Sequence, residues 1–343
     1  MTTPFNLKKI GCILFLVGIF VLPSMLFFGA LFLLLAGIVG SITHNKSYFT
    51  DNWNKIFFIS GILIIISVIT HIISPNDSYN IILDSNSSIL GCLNWLPFFW
   101  LFWAIQPYID SKKKRKKTAL ILVAGTFPVL ISGFGQYFFD WTGPLEILNG
   151  LVVWYQRPLG DHGLTGPFNN QNYAGAWLSL VFPFSLALCQ EKRSQTTKII
   201  SYFICTTIVF VSIFTFSRSS LINIGLGSIF TSYKSIIFSI VPLILLIVFL
   251  LPICYLGFNF SNQISLLKKL FINRFCLNFE LISLTNSHRI IIWSNALQLL
   301  KDKYIFGYGA SSFSTIYSDR MCNELKECLR FTTHAHNILI EIA

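Results

Sequence analysis

The side chains best suited to chemistry lie in four short polar clusters that are separated by apolar runs. They are the segment 157–172, which begins with Arg157 and ends with Asn172, followed by Ser217-Arg218-Ser219-Ser220, Ser287-His288-Arg289 and His334-Ala335-His336-Asn337. Arginine binds phosphate groups through two parallel hydrogen bonds, and histidine exchanges protons near neutral pH. The clusters therefore indicate anion binding combined with proton transfer.

Arg218 stands between two apolar runs, so its guanidinium must lie at the boundary of a membrane's hydrocarbon layer. An arginine there is costly unless it is paired or binds an anion, and residues 199–255 contain no aspartate or glutamate. Arg218 also begins a predicted helix, whose first backbone N–H groups attract anions. Arg289 repeats this arrangement behind a predicted Ser287 cap, which favours a two-arginine clamp for phosphate or diphosphate. The alternative is that both side chains extend to lipid phosphates.

His334 and His336 are two residues apart, so they share a face on an extended strand and diverge on a helix. The pair is a weak metal signal because zinc needs a third ligand, and no cysteine or carboxylate is spaced to supply one. We therefore expect no metal site. One histidine is better suited to act as a general base, with Asn337 orienting the group it acts on. The alternative is that both histidines only cap a helix.

The composition shows what kind of scaffold must position these clusters. Hydrophobic residues make up 54% of the 343 residues and charged residues 11%, compared with about 25% charged in an ordinary globular protein. This excludes a soluble domain and predicts an all-α fold, a polytopic bundle of about nine or ten transmembrane helices. The net charge of +11 does not indicate nucleic acid binding, because the basic residues stand in short loops that set membrane topology.

Nine apolar segments are long enough, or nearly so, to cross a hydrocarbon layer about 30 Å thick. They are 9–22, 24–42, 56–73, 89–107, 118–139, 173–189, 199–216, 219–232 and 236–256. Pro23 separates the first two, which predicts a tight hairpin or one kinked helix. With a cytoplasmic N-terminus, the inner loops hold fourteen basic residues, including the run from Lys112 to Lys117, and the outer loop 74–88 holds none. All four polar clusters then lie on the outer side.

The predicted organisation is a transmembrane bundle at 1–256, an extracytoplasmic loop region at 257–337, and at 338–343 the start of a further helix that the sequence truncates. In the loop region, Asn286 or Ser287 is a suitable N-cap for a surface helix that ends near Lys301. Its apolar stripe is expected to be Ile290, Trp293, Leu297 and Leu300.

Two further features are expected beyond this helix. Gly307 and Gly309 break the helical pattern. Cys322 and Cys328 are close together in an oxidising compartment, which predicts a disulfide. A helix through 323–329 is the alternative, because it would place the two cysteines on different faces.

The ordered set of clusters resembles the O-antigen ligase and O-antigen polymerase family of bacterial polysaccharide membrane proteins. The matching residues are Arg157, 166–172 (GPFNNQN), 215–218 (TFSR), 289–293 (RIIIW), 306–309 (FGYG) and 334–337 (HAHN). Each piece is short, but their order is specific. Tyr304 departs from the family pattern, which has proline at that position.

The resemblance implies glycan transfer from an undecaprenyl-diphosphate carrier to an acceptor hydroxyl at the outer face of the bacterial plasma membrane, without a cofactor. The implied partners are a lipid-linked glycan donor, a glycan or lipid acceptor and membrane lipids. Carried over residue by residue, the resemblance assigns Arg157, Arg218 and Arg289 to binding of the diphosphate. It assigns His336, in preference to His334, to activation of the acceptor. Asn172 and Asn337 are assigned to orienting the site.

A polytopic membrane solute transporter is the competing interpretation. A transporter needs polar or ionisable groups near the membrane midplane and access from both sides. The apolar segments hold almost no ionisable residues, with His71 near the end of one segment and Asp140 directly after another, and the polar clusters are one-sided. The sequence therefore favours the enzyme.

Overall fold

The computed structural model describes residues 4–44, 47–73, 85–159, 163–191, 194–232, 279–302, 307–309, 311–313 and 316–317. The elements in chain order are α1 (Pro4–Val21), α2 (Leu26–Thr43), α3 (Asn52–Ile73), α4 (Ser85–Gly91), α5 (Leu96–Ala104), α6 (Gln106–Ile109), α7 (Lys112–Gly125), α8 (Phe127–Phe138), β1 (Leu145–Ile147), β2 (Val152–Trp154), α9 (Gln171–Cys189), α10 (Gln195–Phe214), α11 (Arg218–Ser232) and α12 (Phe279–Asp302). The all-α class is confirmed.

Five helical segments in the described part of the chain are long and apolar enough to cross a membrane. They are Leu26–Thr43, Asn52–Ile73, Lys112–Phe138, Gln171–Cys189 and Gln195–Phe214. The protein is therefore a multi-pass membrane protein. The predicted spans 9–22 and 219–232 coincide with α1 and α11, and the predicted span 236–256 lies outside the described residues, as does the proposed domain boundary at 256.

One predicted span has a different form. Segment 89–107 is not a single helix, because α4 ends at Gly91, a short 3₁₀ turn follows at Cys92–Asn94, and α5 and α6 then begin separately. Pro97 and Pro107 each stand at the second residue of a new helix, where the missing N–H costs nothing. These two prolines, which a hydropathy profile does not take into account, therefore divide the predicted span into separate helices.

The chain divides into two compact units. The first contains α1, α2, α6 to α11 and the β-hairpin, and the second contains α3, α4, α5 and α12. Within the first unit, α9 packs against α7, α10 and α11, and its residues Leu178, Val181 and Phe182 are completely buried. In the same unit α2 folds back on α1, so the chain forms a tight hairpin at Pro23 and not one kinked helix.

The first unit has a basic end and a loop end. At the basic end, Lys114 Nζ lies 2.9 Å from an Asp110 carboxylate oxygen, and Lys116 Nζ lies 2.9 Å from Glu191 Oε2. At the loop end, Trp154 Nε1 donates a 2.7 Å hydrogen bond to the Ser24 carbonyl. Helices α7 to α10 run between the two, so the lysine run and the polar segment 157–172 lie at opposite ends of the same helices.

A β-hairpin at the loop end was not anticipated by the sequence. Strands β1 and β2 pair antiparallel, with Leu145 opposite Trp154 and Ile147 opposite Val152. Their turn uses left-handed backbone at Leu148, Asn149 and Gly150. Three-residue strands are too short to show a period-two pattern against the apolar background, which is why the sequence did not reveal them.

In the second unit, α12 corrects the predicted surface helix. It begins at Phe279, so Asn286 and Ser287 are interior positions and do not cap it. Among its described side chains, those of 290–301, Ile292, Ala296 and Leu299 are buried, whereas Ile290 and Leu297 of the predicted stripe are exposed. The expected break after the helix is confirmed, because Gly307 and Gly309 both have positive φ, at 61° and 90°.

Candidate functional site

The segment that follows β2 is attached to α8 by buried side chains, and Gln136, near the end of the helix, makes most of these hydrogen bonds. Gln136 is 1% exposed, and its Nε2 donates to the Arg157 carbonyl and, over 3.2 Å, to Thr165 Oγ1. Its Oε1 accepts from the N–H groups of Thr165 at 3.0 Å and Gly166 at 2.9 Å. The Arg157 N–H donates to the same Thr165 hydroxyl, over 3.1 Å. The Gln136 side chain therefore holds together two parts of the segment, Arg157 on one side and Thr165 with Gly166 on the other.

A second contact places this segment against the end of α10. The Leu164 N–H donates a 2.8 Å hydrogen bond to the Phe214 carbonyl, and the Leu164 side chain is buried against Gly133 and Val211. At Gly163 the approach is so close that a Cβ would clash with the Thr215 carbonyl oxygen. The segment thus fills the space between α8 and α10.

The segment ends by starting α9. Asn170 is the N-cap, and its side-chain oxygen accepts a 2.7 Å hydrogen bond from the Asn172 N–H. The side chain of Gln171 is mostly buried and accepts from the Gly163 N–H. Asn172 itself is exposed at the helix start.

The Arg157 side chain is held in place by a hydrogen bond that it donates itself. Its Nε donates over 2.6 Å to the Asn169 carbonyl, just before the cap of α9. This bond uses Nε and leaves the two terminal NH₂ groups of the exposed guanidinium for a further partner. Arg157 forms no ion pair with any residue that the structure describes.

Arg218 lies at a sharp joint between α10 and α11. Phe216 has φ 51°, a left-handed conformation that costs a non-glycine residue about 1 kcal/mol or more. The Thr215 hydroxyl stabilises the joint by donating over 2.7 Å to the Ser212 carbonyl and accepting from the Ser217 N–H over 3.3 Å. Arg218 is then the first residue of α11 and is exposed. Its predicted place at a helix start is confirmed.

The starts of α9 and α11 lie side by side. The Ser220 hydroxyl donates over 2.8 Å to the Gly175 carbonyl. A Cβ on Gly175 would lie 2.8 Å from Ser217 Cβ and 3.0 Å from Ser220 Cβ, so only glycine allows this approach. Two positive helix ends, with Arg157 and Arg218 beside them, therefore occupy one region of the loop end.

The electrostatics of this region differ from those of the basic end. Among the described residues, the ion pairs lie at the basic end, on Lys8, Asp110, Lys114, Lys116 and Glu191. The two exposed arginines next to helix N-termini have no described carboxylate partner, and such groups are chemically able to bind an anion.

Of the remaining predicted site residues, Arg289 has a described backbone and the others lie outside the described part of the chain. Arg289 belongs to the second unit and is the eleventh residue of α12, so the prediction that it stands in a first helical turn behind a Ser287 cap is wrong. Its side chain lies outside the described part, as do His334, His336 and Asn337 and the predicted Cys322–Cys328 disulfide. No group of three metal-ligating side chains occurs among the described residues, and the absence of a metal from the site stays a prediction.

Sequence reasoning missed Gln136 and gave no structural role to Gln171 and Ser220, although both lie in the predicted clusters. Gln136, Gln171 and Ser220 are buried or mostly buried and hold the two helix starts and the segment together. One signal was available: Gln136 is an amide in an otherwise apolar stretch, and such a side chain needs several partners when buried.

Comparison with known proteins gives a family match. A family model described as O-antigen ligase matches residues 170–343, just over half of the chain. No curated protein and no solved structure matches the chain.

Proposed function

The chain belongs to the O-antigen ligase family, and from this premise we propose that it transfers a glycan from an undecaprenyl-diphosphate carrier to an acceptor hydroxyl. We place the reaction at the outer face of the bacterial plasma membrane. The observation that carries the proposal is the pairing of Arg157 and Arg218 with two adjacent helix starts, because the reaction releases a diphosphate.

The arginines are assigned to the leaving group. As the bond between the sugar's anomeric carbon and the diphosphate oxygen breaks, negative charge develops on that oxygen. Bidentate guanidinium groups and helix N–H groups that are already in place stabilise this charge and lower the barrier. Arg157 and Arg218 supply these groups in the first unit. For Arg289, in the second unit, binding of the diphosphate stays a prediction from the sequence. Asn172, exposed in the first turn of α9, is assigned to orienting the donor.

The acceptor needs a base. The acceptor oxygen forms the new bond to the anomeric carbon, and its proton passes to a histidine, which we assign as His336 in preference to His334. Asn337 is assigned to orienting the acceptor hydroxyl. In this scheme the proton goes to the histidine and the electron pair of the broken bond goes to the diphosphate, so the scheme needs neither a metal nor a nucleotide.

The orientation rests on the two ends of the first unit. The lysine run at one end is typical of a cytoplasmic side, and the opposite end carries Arg157 and Arg218. This supports an active face on the extracytoplasmic side. Family membership also favours the enzyme over the transporter that the apolar bundle alone would permit.

The decisive test is deletion of the gene in its host, with analysis of the surface glycan. Glycan that stays on the carrier indicates a ligase, and glycan reduced to single repeats indicates a polymerase. Loss of glycan from protein alone indicates a protein glycosyltransferase. Complementation with the wild-type gene and with a His336→Ala variant provides the matched pair, and unchanged glycan after deletion would contradict the proposal.

A further inference from the structure

The hydrogen bonds of Gln136 lead to an inference that rests on the proposed function and deepens it. Gln136 lies near the end of the span formed by α7 and α8 and is 1% exposed. A buried amide is costly unless its donors and acceptor are satisfied. All of the hydrogen bonds described for this side chain go to the segment that carries Arg157, and none goes to its own helix.

These bonds fix the backbone of Arg157 on both sides. The Arg157 carbonyl accepts directly from Gln136, and the Arg157 N–H donates to the Thr165 hydroxyl, which Gln136 also contacts. The side chain is fixed separately by its bond to the Asn169 carbonyl. With its backbone and its Nε held, the guanidinium has little freedom, which is the condition for binding a transition-state anion strongly.

We infer that Gln136 is a positioning residue for Arg157, and that the residues on which the diphosphate site depends extend beyond the family-matched segment into α8. Gln136, Arg157 and Thr165 all precede residue 170, where that match begins. Gln136 does not touch the donor. It acts by holding the arginine that does.

The test compares Gln136→Met, which keeps the length and loses all four hydrogen bonds, with the wild type in purified, lipid-reconstituted protein. Tyr108→Phe is the control, because it removes another buried hydrogen bond of the first unit, from the Tyr108 hydroxyl to the Ala36 carbonyl, on a different part of the unit. We expect Gln136→Met to lower kcat/KM for the lipid-linked donor by about 10- to 100-fold. Tyr108→Phe should lower thermal stability while leaving kcat/KM within about twofold of the wild type.

A double-variant comparison separates positioning from general destabilisation. In an Arg157→Ala background, Gln136→Met should reduce kcat/KM by less than about twofold further, because the residue it positions is already gone. A full additional 10-fold loss would overturn the inference while leaving the proposed function in place.

Ligand binding, measured as a rise in Tm, tests the inference independently of catalytic turnover. Undecaprenyl diphosphate in detergent should raise the Tm of the wild type and of Tyr108→Phe, and should raise it much less for both Gln136→Met and Arg157→Ala. Equal stabilisation of Gln136→Met and the wild type would overturn the inference. If the wild type binds this probe and yet transfers no glycan, the proposed function fails while the positioning role stands.

Discussion

The Ser220 hydroxyl donates a 2.8 Å hydrogen bond to the carbonyl of Gly175, joining the first turn of α11 to the second turn of α9. This bond passes between two helices whose starts each carry residues of the candidate site. It is possible only because Gly175 has no side chain. The separation of the two helix starts depends on this contact, and in the proposed function this separation sets the size of the anion that fits beside them.

Gly175→Ala should push the two helix starts apart, since its Cβ would meet Ser217 Cβ at 2.8 Å. We expect a stability loss of about 1–3 kcal/mol and a fall in kcat/KM for the donor. Gly227→Ala is the control, because its Cβ would also meet a close neighbour, Pro183 Cγ at 2.9 Å, although one rather than three, at a point farther along α11. It should destabilise the protein and leave donor kinetics unchanged. Equal kinetics for the two variants would contradict the prediction.

Arg218→Lys should insert and fold normally and lose most of its activity, because lysine keeps the charge and loses the two-pronged geometry. An arginine that only reaches lipid headgroups would tolerate lysine. Arg115→Lys, at the basic end, is the control and should retain full transfer. Near-normal transfer by Arg218→Lys would remove the assignment of this residue to the diphosphate.

His336→Ala should abolish transfer while leaving binding of undecaprenyl diphosphate nearly intact, because a base acts on the acceptor and contributes little to holding the donor. Single-turnover transfer and probe binding measure the two steps separately. Full activity of His336→Ala together with loss of activity in His334→Ala would move the base to His334.

Asp110 gives a pH prediction at the basic end. The hydrogen bond from Lys114, together with the charges of Lys114 and Lys8, lowers the pKa of the Asp110 carboxyl. A carboxyl whose pKa is lower in the folded state stabilises the protein above its ordinary pKa of about 4, and this stabilisation is lost as the pH falls through the lower folded value. The carboxylate is 47% exposed, so Asp110→Asn should cost less than about 1 kcal/mol at pH 7. The difference between variant and wild type should shrink with added salt and disappear at low pH, as followed by thermal unfolding in detergent.

The orientation can be tested with single cysteines at two exposed positions of the first unit. A cysteine at position 149, in the hairpin turn, should react with a membrane-impermeant thiol reagent in intact cells. A cysteine at position 113, in the lysine run, should react only after the cells are permeabilised. The reverse pattern would overturn the proposed outer active face.

Much of the fold could be read from the sequence, because the length and polarity of apolar runs are local properties. These runs predicted α2, α3, α9 and α10 nearly to their ends, and the break at 215–218 predicted that Arg218 begins a helix. The resemblance carried by the short motifs was confirmed by the family match. The assignments of Arg157, Arg218 and Asn172 to the donor stay predictions.

Other features were decided only by the tertiary structure, because they depend on partners distant in sequence. The stripe of α12 that is buried is set by what packs against it, so Ile292 and Ala296 are buried where Ile290 was expected. Residues 286 and 287 have the chemistry of caps, yet the helix begins at Phe279. Gln136 and Thr165 are ordinary polar residues in the sequence, and only their contact across 29 positions fixes the loop that carries Arg157. Hydropathy determines which segments are helices, whereas hydrogen bonds between remote residues determine which side chains meet.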